Sequence, residues 1–331
     1  MKRILLVMLT ILLSVSIFAS GAKENADYSA LEALQSTHVN AVALKGPTAM
    51  GMVKLMSDAK EGAVNGNDYS FSIVASPTEV TPKIVKGEVD IAAVPANLAA
   101  VLYNNTKGAV KVIGINTLGV LYIVEKGDSV HSIKDLEGKT IYASGKGSTP
   151  EYALSYILSK SGIADKVNIE WKSEHAECVA ALVNDSEGVA MLPQPFVTTA
   201  QMKDKSIKVA IDLTQAWNEV SPESGLVTGV VVARSAFIEE NKAAVDAFLK
   251  SYKESTLFVN ENVNKAAELV GSFDIVPAAV AKIAIPQCNI VCITGEEMKS
   301  MLTGYLDVLY TANPASVGGK LPAEDFYYTG K

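Results

Sequence analysis

The stretch Thr140-Ile141-Tyr142-Ala143-Ser144-Gly145-Lys146-Gly147-Ser148-Thr149-Pro150-Glu151 decides how the chain is read. Residues 140–143 have the β-branched, aromatic character of a strand, and residues 144–148 form a Gly-rich loop. Ser148-Thr149-Pro150-Glu151 then opens a helix, with a capping serine, a proline in the first turn and a glutamate at the third position. That helix is expected to reach Lys160 and stop at Gly162. Strand, short loop and helix N-terminus in succession are the building unit of an α/β protein.

Working outward, the same rhythm fills the chain. Towards the N-terminus, strands are expected at 39–44, 71–74, 89–94, 110–115 and 120–124. Helices are expected at 49–58, from Ser76-Pro77-Thr78-Glu79 to residue 86, and at 98–103 with Asn97 as cap. Ser132-Ile133-Lys134-Asp135 reads as a capping box. Towards the C-terminus, strands are expected at 167–171, 189–192, 208–213 and 226–232, with a helix centred on Val179. Helices at 237–260, 263–270, 277–284 and 294–310 close the chain, the last with Thr294 and Glu297 as a capping box. A single core seldom serves more than ~250–300 residues, and the chain has 331. The expected organisation is two αβ lobes: 28–117 with 229–331, and an inserted lobe at 118–228. Two crossings, near 117–120 and 226–230, would join them and allow closure over a ligand.

The first residues stand apart from this fold. Met1-Lys2-Arg3 is basic, residues 4–18 are apolar apart from Thr10, Ser14 and Ser16, and Ala19-Ser20-Gly21-Ala22 supplies small residues for cleavage. This is the layout of a secretory signal over 1–22, and ~15 apolar residues fall short of the ~20 of a membrane span. A retained N-terminal anchor is the alternative. No cysteine lies beside the small residues to accept a lipid, so an exported, periplasmic or cell-surface protein without a lipid anchor is expected. Acids outnumber bases by 36 to 29, and losing Lys2 and Arg3 leaves 27 bases, a net charge of −9. That balance argues against nucleic acid as a partner. Three cysteines make no disulfide framework. A Cys288–Cys292 bridge would need a turn between them, so free buried thiols are preferred.

No G-x-S-x-G, H-E-x-x-H or C-x-x-C motif marks a catalytic centre. Gly145-Lys146 is no nucleotide loop: Thr140 stands where the first glycine belongs and Gly147 where Ser or Thr should follow the lysine. Glu174-His175-Ala176-Glu177-Cys178 offers ligand types at helical spacing, although an exposed helix start with a buried cysteine explains it as well. No catalytic residue, cofactor or metal is expected. What recurs is a strand followed by a loop rich in Gly, Pro, Ser, Thr or Asn and a helix start. The pattern occurs at 45–48, 76–78, 95–97, 145–149 and 193–195. Such loops lie at the carboxyl ends of strands, where free amides and helix dipoles favour anions or polarised oxygens. Each alone is a helix cap; five suggest convergence on a cleft.

These residues also carry a resemblance. Ser132-Ile133-Lys134-Asp135-Leu136-Glu137-Gly138-Lys139-Thr140-Ile141 resembles the start of the second lobe in solute-binding proteins of ABC importers. Gly87-Glu88-Val89-Asp90-Ile91-Ala92 ahead of Pro95-Ala96-Asn97 resembles their first-lobe strand and cleft loop. Val189-Ala190-Met191-Leu192-Pro193-Gln194-Pro195 is similar to the second-lobe cleft loop, and Gly318-Gly319-Lys320-Leu321-Pro322 with Phe326-Tyr327-Tyr328 to the closing segment. The resemblance covers nearly the whole mature chain. It is closest to the nitrate/sulfonate/taurine-type proteins, which share a fold with thiamine-pyrimidine synthase-like proteins. It implies a two-lobed periplasmic-binding fold of the second type, acting as a monomer that delivers a small solute to an ABC permease in the membrane. The implied contacts are Gly46, Pro47, Thr48, Pro95, Asn97, Thr117, Gly119, Gly147, Ser148, Thr149, Gln194 and Thr228.

Ligand class stays open at this level. Only Arg3 and Arg234 are arginines, so capture of an anion would rest on amides and hydroxyls. Lys45 and Lys146 flank two of the loops. Tyr103, Tyr122, Tyr152 or Trp171 could instead stack a pyrimidine-like ring. The competing classes are an exported enzyme on this fold, which needs a perturbed carboxylate or histidine facing the cleft, and an adhesion protein, which needs a large exposed apolar patch.

Overall fold

The computed structural model describes residues 36–330, so the expected signal at 1–22 lies outside the described residues. The first sheet receives β1 (Thr37–Leu44), β2 (Asn67–Val74), β3 (Ile91–Pro95), β4 (Val110–Thr117), β10 (Gly229–Arg234) and β11 (Ile290–Ile293), in the order β11-β4-β10-β3-β1-β2. The second receives β5 (Leu121–Lys126), β6 (Thr140–Ser144), β7 (Asn168–Lys172), β8 (Val189–Pro193) and β9 (Ile207–Asp212), in the order β7-β6-β8-β5-β9. β1 is parallel to β2 and β3, and β6 to β7 and β8. β10 runs antiparallel to its neighbours, as does β5. The central strands β3 and β8 are buried at every residue, which is why Ile91-Ala92-Ala93-Val94 and Val189-Ala190-Met191-Leu192 read as unbroken apolar runs.

Helices cover both sheets. The early ones are α1 (Pro47–Met50), α2 (Val53–Asp58), α3 (Pro77–Val85) and α4 (Ala96–Asn105). Those among the second-sheet strands are α5 (Thr149–Lys160), α6 (His175–Asn184), α7 (Phe196–Lys203) and α8 (Leu213–Val220). The C-terminal set is α9 (Ser235–Glu240), α10 (Lys242–Glu261), α11 (Val263–Ser272), α12 (Ala278–Ala284) and α13 (Gly295–Ala312). One apolar core joins the sheets. It runs from Val42 and Val94 through Leu302, Tyr305 and Leu306 of α13 to Trp217 of α8 and Leu154 of α5. Trp217 packs on Tyr305 with ring centroids 5.4 Å apart and on Tyr156 at 5.0 Å.

Five local readings are corrected, the first being that Ser148 makes no side-chain cap to α5, its hydroxyl turning back to the Gly145 carbonyl. The helix expected at 49–58 is two, because Ser255 takes the backbone pair that would have continued it. Its Oγ donates to the Gly51 carbonyl at 2.7 Å and accepts from the Leu55 amide at 3.1 Å. The helix expected at 237–260 breaks at Asn241, whose φ of −135° is not helical. Asn97 does not cap α4; Pro95 precedes the helix, and Asn97 sits in its first turn. Thr294 makes no side-chain cap to α13. The box read at Ser132–Asp135 forms, and Ser76 and Glu79, read only as a helix start, form another. Cys178, Cys288 and Cys292 are all free. Arg234 is bound to Asp90 at 2.6 Å and to the Val89 carbonyl at 3.1 Å. Among the described residues no helix is long and apolar enough to cross a membrane.

Candidate functional site

The six strands that pair in parallel, three in each sheet, end at one cavity of about 110 Å³ between the sheets. Leu44 ends β1, Ala75 follows β2 and Pro95 ends β3; Ser144 ends β6, Ser173 follows β7 and Pro193 ends β8, and each lines the cavity. The antiparallel strands bring their opposite ends to it, Leu121 at the start of β5 and Thr228 just before β10. Helices start on the same rim: Pro47 and Thr48 in α1, Pro77 in α3, Pro150 in α5 and His175 in α6. Pro47, Pro77 and Pro150 have no N–H, and the Thr78 and Glu151 amides already bond to Ser76 Oγ and the Ser148 carbonyl, so at these starts it is the helix dipole that adds positive potential.

Local sequence sets this geometry. Gly46 has φ +129°, a conformation that side chains rarely adopt, and so turns β1 abruptly into α1. Thr48 Oγ1 donates to the Leu44 carbonyl at 2.8 Å, fixing that turn. Ser148 Oγ donates back to the Gly145 carbonyl at 2.6 Å, and the Gly147 amide donates to Glu151. Thr228 Oγ1, on the cavity wall, is buried and has no hydrogen-bond partner. Lys45 reaches towards exposed Asp274 at 3.5 Å, a pair too solvated to hold it firmly.

Of the twelve residues that the resemblance proposes, Pro47, Thr48, Pro95, Ser148 and Thr228 line the cavity. The others brace it. Asn97 donates to the Ser316 carbonyl at 3.0 Å and to the Gly147 carbonyl at 3.4 Å, and accepts from Thr149 Oγ1 at 3.3 Å. It thereby binds the first sheet's helix to the loop of the second. Gln194 donates to Gln287 at 2.9 Å and accepts from Thr198 at 2.9 Å, a second bridge across the cleft. Gly46 faces the ring of Phe196 from the opposite side. Thr117 donates to Asn116 at 3.0 Å, while its carbonyl accepts from the Thr228 amide at 3.0 Å. The Gly119 carbonyl accepts from Asn289, and a Cβ at Gly119 would fall 2.1 Å from Thr214 Oγ1.

Sequence reasoning missed Ser144 and the segment Ser173-Glu174-His175 as wall residues. The signal was present, because β7 runs into α6 by the same strand–loop–helix pattern as the five loops that were recognised. His175 Nδ1 and Ser144 Oγ are 2.6 Å apart, and the His175 ring packs on Phe196 with centroids 4.9 Å apart. Burial lowers the His175 pKa from 6.5 to about 4, so the imidazole is neutral at pH 7. The ligand types at Glu174–Cys178 do not assemble, and no group of three metal-ligating side chains occurs among the described residues. None of Tyr103, Tyr122, Tyr152 and Trp171 lines the cavity. Tyr152 and Tyr156 instead face a separate groove of about 750 Å³ between α5 and the end of α13.

Two αβ lobes joined through the chain crossings, with strand ends and helix starts turned towards one cavity between them, define a ligand-binding protein of the periplasmic-binding fold. Residues 52–280, well over half of the chain, match the family of phosphonate-type periplasmic substrate-binding proteins of ABC transporters, and the chain belongs to that family. It is the substrate-binding component of such a transporter, as the resemblance implied. An ABC transporter protein from Parabacteroides distasonis is 22% identical with a TM-score of 0.75, over 88% of this chain and 99% of that one. The periplasmic aliphatic sulphonate-binding protein SsuA of Escherichia coli is 14% identical with a TM-score of 0.69, over 88% and 92%. The alkanesulfonate-binding SsuA of Xanthomonas axonopodis pv. citri, bound to MOPS, is 13% identical with a TM-score of 0.68, over 87% and 96%. A search of curated proteins gives no match. The family is one of exported binding proteins that deliver small solutes to a membrane permease.

Proposed function

We propose that the cavity captures a small oxyanion of the phosphonate–sulfonate kind by backbone amides and hydroxyls, and that the monomeric, exported protein presents it to its permease. The observation that carries this reading is the convergence of helix starts from both sheets on a cavity lined by no arginine. Of the hydroxyls on the lining, those of Thr48 and Ser148 already donate to the Leu44 and Gly145 carbonyls, which leaves Ser144, Ser173 and Thr228 as donors, and Thr228 Oγ1 has no acceptor within the protein. The family match supports a phosphonate-type ligand, and the sulfonate-binding neighbours support a related tetrahedral anion on the same scaffold. The lobe limits 28–117 with 229–331 and 118–228, and the lack of a lipid anchor, belong to this reading.

The neutral His175 beside Ser144 meets the criterion set for an exported enzyme, a perturbed histidine facing the cleft. A base near 4 is poorly matched to activating a serine at neutral pH, where a general base works best near the operating pH. We therefore assign the pair to hydrogen bonding of the ligand. Thermal shift with phosphonates, sulfonates, phosphate, nitrate, carboxylates and a thiamine-related pyrimidine tests the proposal. A ligand at 100–1,000 times its dissociation constant should add about 2.7–4.1 kcal/mol of stability. Stabilisation by the pyrimidine alone, or turnover of an ester panel without any stabilising anion, would refute it.

A further inference from the structure

We infer that the groove between α5, the end of α8 and α13 is a second ligand site, which takes a linear polyamine: a flexible chain of methylenes carrying two or more ammonium groups. The groove measures about 750 Å³ and shares no lining residue with the cleft cavity. The inference is therefore independent of the anion assigned to the cleft.

The electrostatics are the inverse of the cleft's. Helix starts surround the cleft cavity, whereas helix ends surround the groove: α5 finishes at Lys160, α8 at Val220 and α13 at Ala312, and all three residues line it. A helix C-terminus carries about half an elementary negative charge, so the three together favour a cation. Each wall adds a carboxylate, Glu151 from α5, Glu223 just beyond α8 and Asp307 from α13, against the ammonium of Lys160. Glu151 accepts the Gly147 amide with Oε2, and neither Glu223 nor Asp307 has an ion-pair partner among the described residues. Ser221 is a separate sign of a ligand. It is 4% exposed, lines the groove, and its hydroxyl makes no hydrogen bond among the described residues. A buried hydroxyl left open in this way is an acceptor for a ligand N–H.

The shape selects a long cation over a compact one. Along α5 the groove runs from Glu151 to Lys160, about 13 Å at 1.5 Å per residue. Spermidine, with nine bonds between its terminal nitrogens, extends to about 11 Å. The rings of Tyr152 and Tyr156 with Val220 and Val308 give methylenes a surface to cover. Lys160 already holds its ammonium 5.4 Å from the Tyr156 ring centre, so that face accepts a cation. Glu223 and Asp307 are exposed, which lets ammonium groups keep part of their hydration while the chain lies on the apolar wall, as a lysine stem does. α5 and α8 follow strands of the second sheet, and α13 packs on β4 of the first. A bound polyamine thus touches both lobes and favours this arrangement of them.

The test is isothermal titration of the mature protein with spermidine, putrescine and Mg²⁺ at low ionic strength. Spermidine should bind at one site, putrescine more weakly, and Mg²⁺, which has charge but no methylenes, about tenfold or more weakly. Glu223→Gln combined with Asp307→Asn should weaken spermidine binding by about three- to tenfold. Glu239→Gln combined with Glu240→Gln removes the same charge from exposed positions of α9 outside the groove and should leave binding unchanged. Spermidine should also narrow the spread of distances between labels on the two lobes. No binding of spermidine, equal binding of Mg²⁺, or equal weakening by the two variant pairs overturns the site. Spermidine binding with unchanged label distances overturns the bridging of the lobes.

Discussion

Replacing Asn97 by alanine separates two roles that its side chain combines. The residue is fully buried and makes three hydrogen bonds, one to Ser316 and two to the second-sheet loop at Gly147 and Thr149. The Ser316 carbonyl loses its donor in every conformation, and an unpaired buried polar group costs about 1–3 kcal/mol of folding stability. Any separation of the lobes breaks the two bonds across the cleft. At 3.3 and 3.4 Å they are long, so each falls at the lower end of the usual ~0.5–1.5 kcal/mol, giving about 1–2 kcal/mol together. That amount lowers the closed population, and with it the apparent affinity, by about 5–30-fold. Titration with the anion that gives the largest thermal shift reads the affinity, a distance between labels on the two lobes reads closure, and urea unfolding reads stability. Asn97→Ala that loses stability but keeps wild-type affinity and wild-type closure would refute the bridging argument.

Three further perturbations follow from the same structure. Gly119→Ala places a Cβ 2.1, 2.8 and 2.9 Å from the Oγ1, Cγ2 and Cβ of Thr214, so it should destabilise by about 1–3 kcal/mol. Adding Thr214→Ala should restore most of that in urea unfolding, and a double variant no better than the single one would be inconsistent with the clash. Asp90→Asn strands the Arg234 charge; because that side chain is 24% exposed, the loss should be about 2–3 kcal/mol rather than the ~3–5 of a fully buried pair, and a loss below about 0.5 kcal/mol would contradict it. His175 has its folded pKa depressed to about 4 from 6.5, so the unfolded chain takes up the proton first on acidification. Its contribution is whole above pH 6.5 and is lost as the pH falls towards 4, on the order of 3 kcal/mol. His175→Gln should flatten the stability–pH curve in that window, and an unchanged slope would rule His175 out as its source.

What the amino-acid sequence reveals of this fold follows the range of the interaction concerned. Continuous apolar runs identify β3 and β8 because a strand buried on both faces has no alternation to show. The Ser76 cap is equally legible, its partners lying within three residues. The break at Gly51 is not, because Ser255 enters the Gly51–Leu55 pair from a helix two hundred residues away. Asn97 was misread for a related reason: an asparagine before an apolar run is a good local cap, but the Ser316 carbonyl outcompetes that role. Helix α8 is legible as well, since Leu213, Ala216 and Trp217 are spaced as one buried face. At the site, loop chemistry picked out Pro47, Thr48, Pro95, Ser148 and Thr228. Which hydroxyls and amides face the ligand and which hold the walls depends on the angle between two sheets, and no local pattern encodes it.

The core that passes from β1 through Tyr305 to Trp217 gives the segment that builds the second sheet a particular kind of dependence. A module that evolution could lift out and reuse would carry its own interior, but Trp217, with no exposed surface, is packed by Tyr305 from outside the segment. Expressed alone, residues 118–228 would present that indole and its neighbours to water at about 1.5–3 kcal/mol for each large apolar side chain uncovered. The intact chain should accordingly melt in one cooperative transition, and the excised segment should self-associate instead of folding.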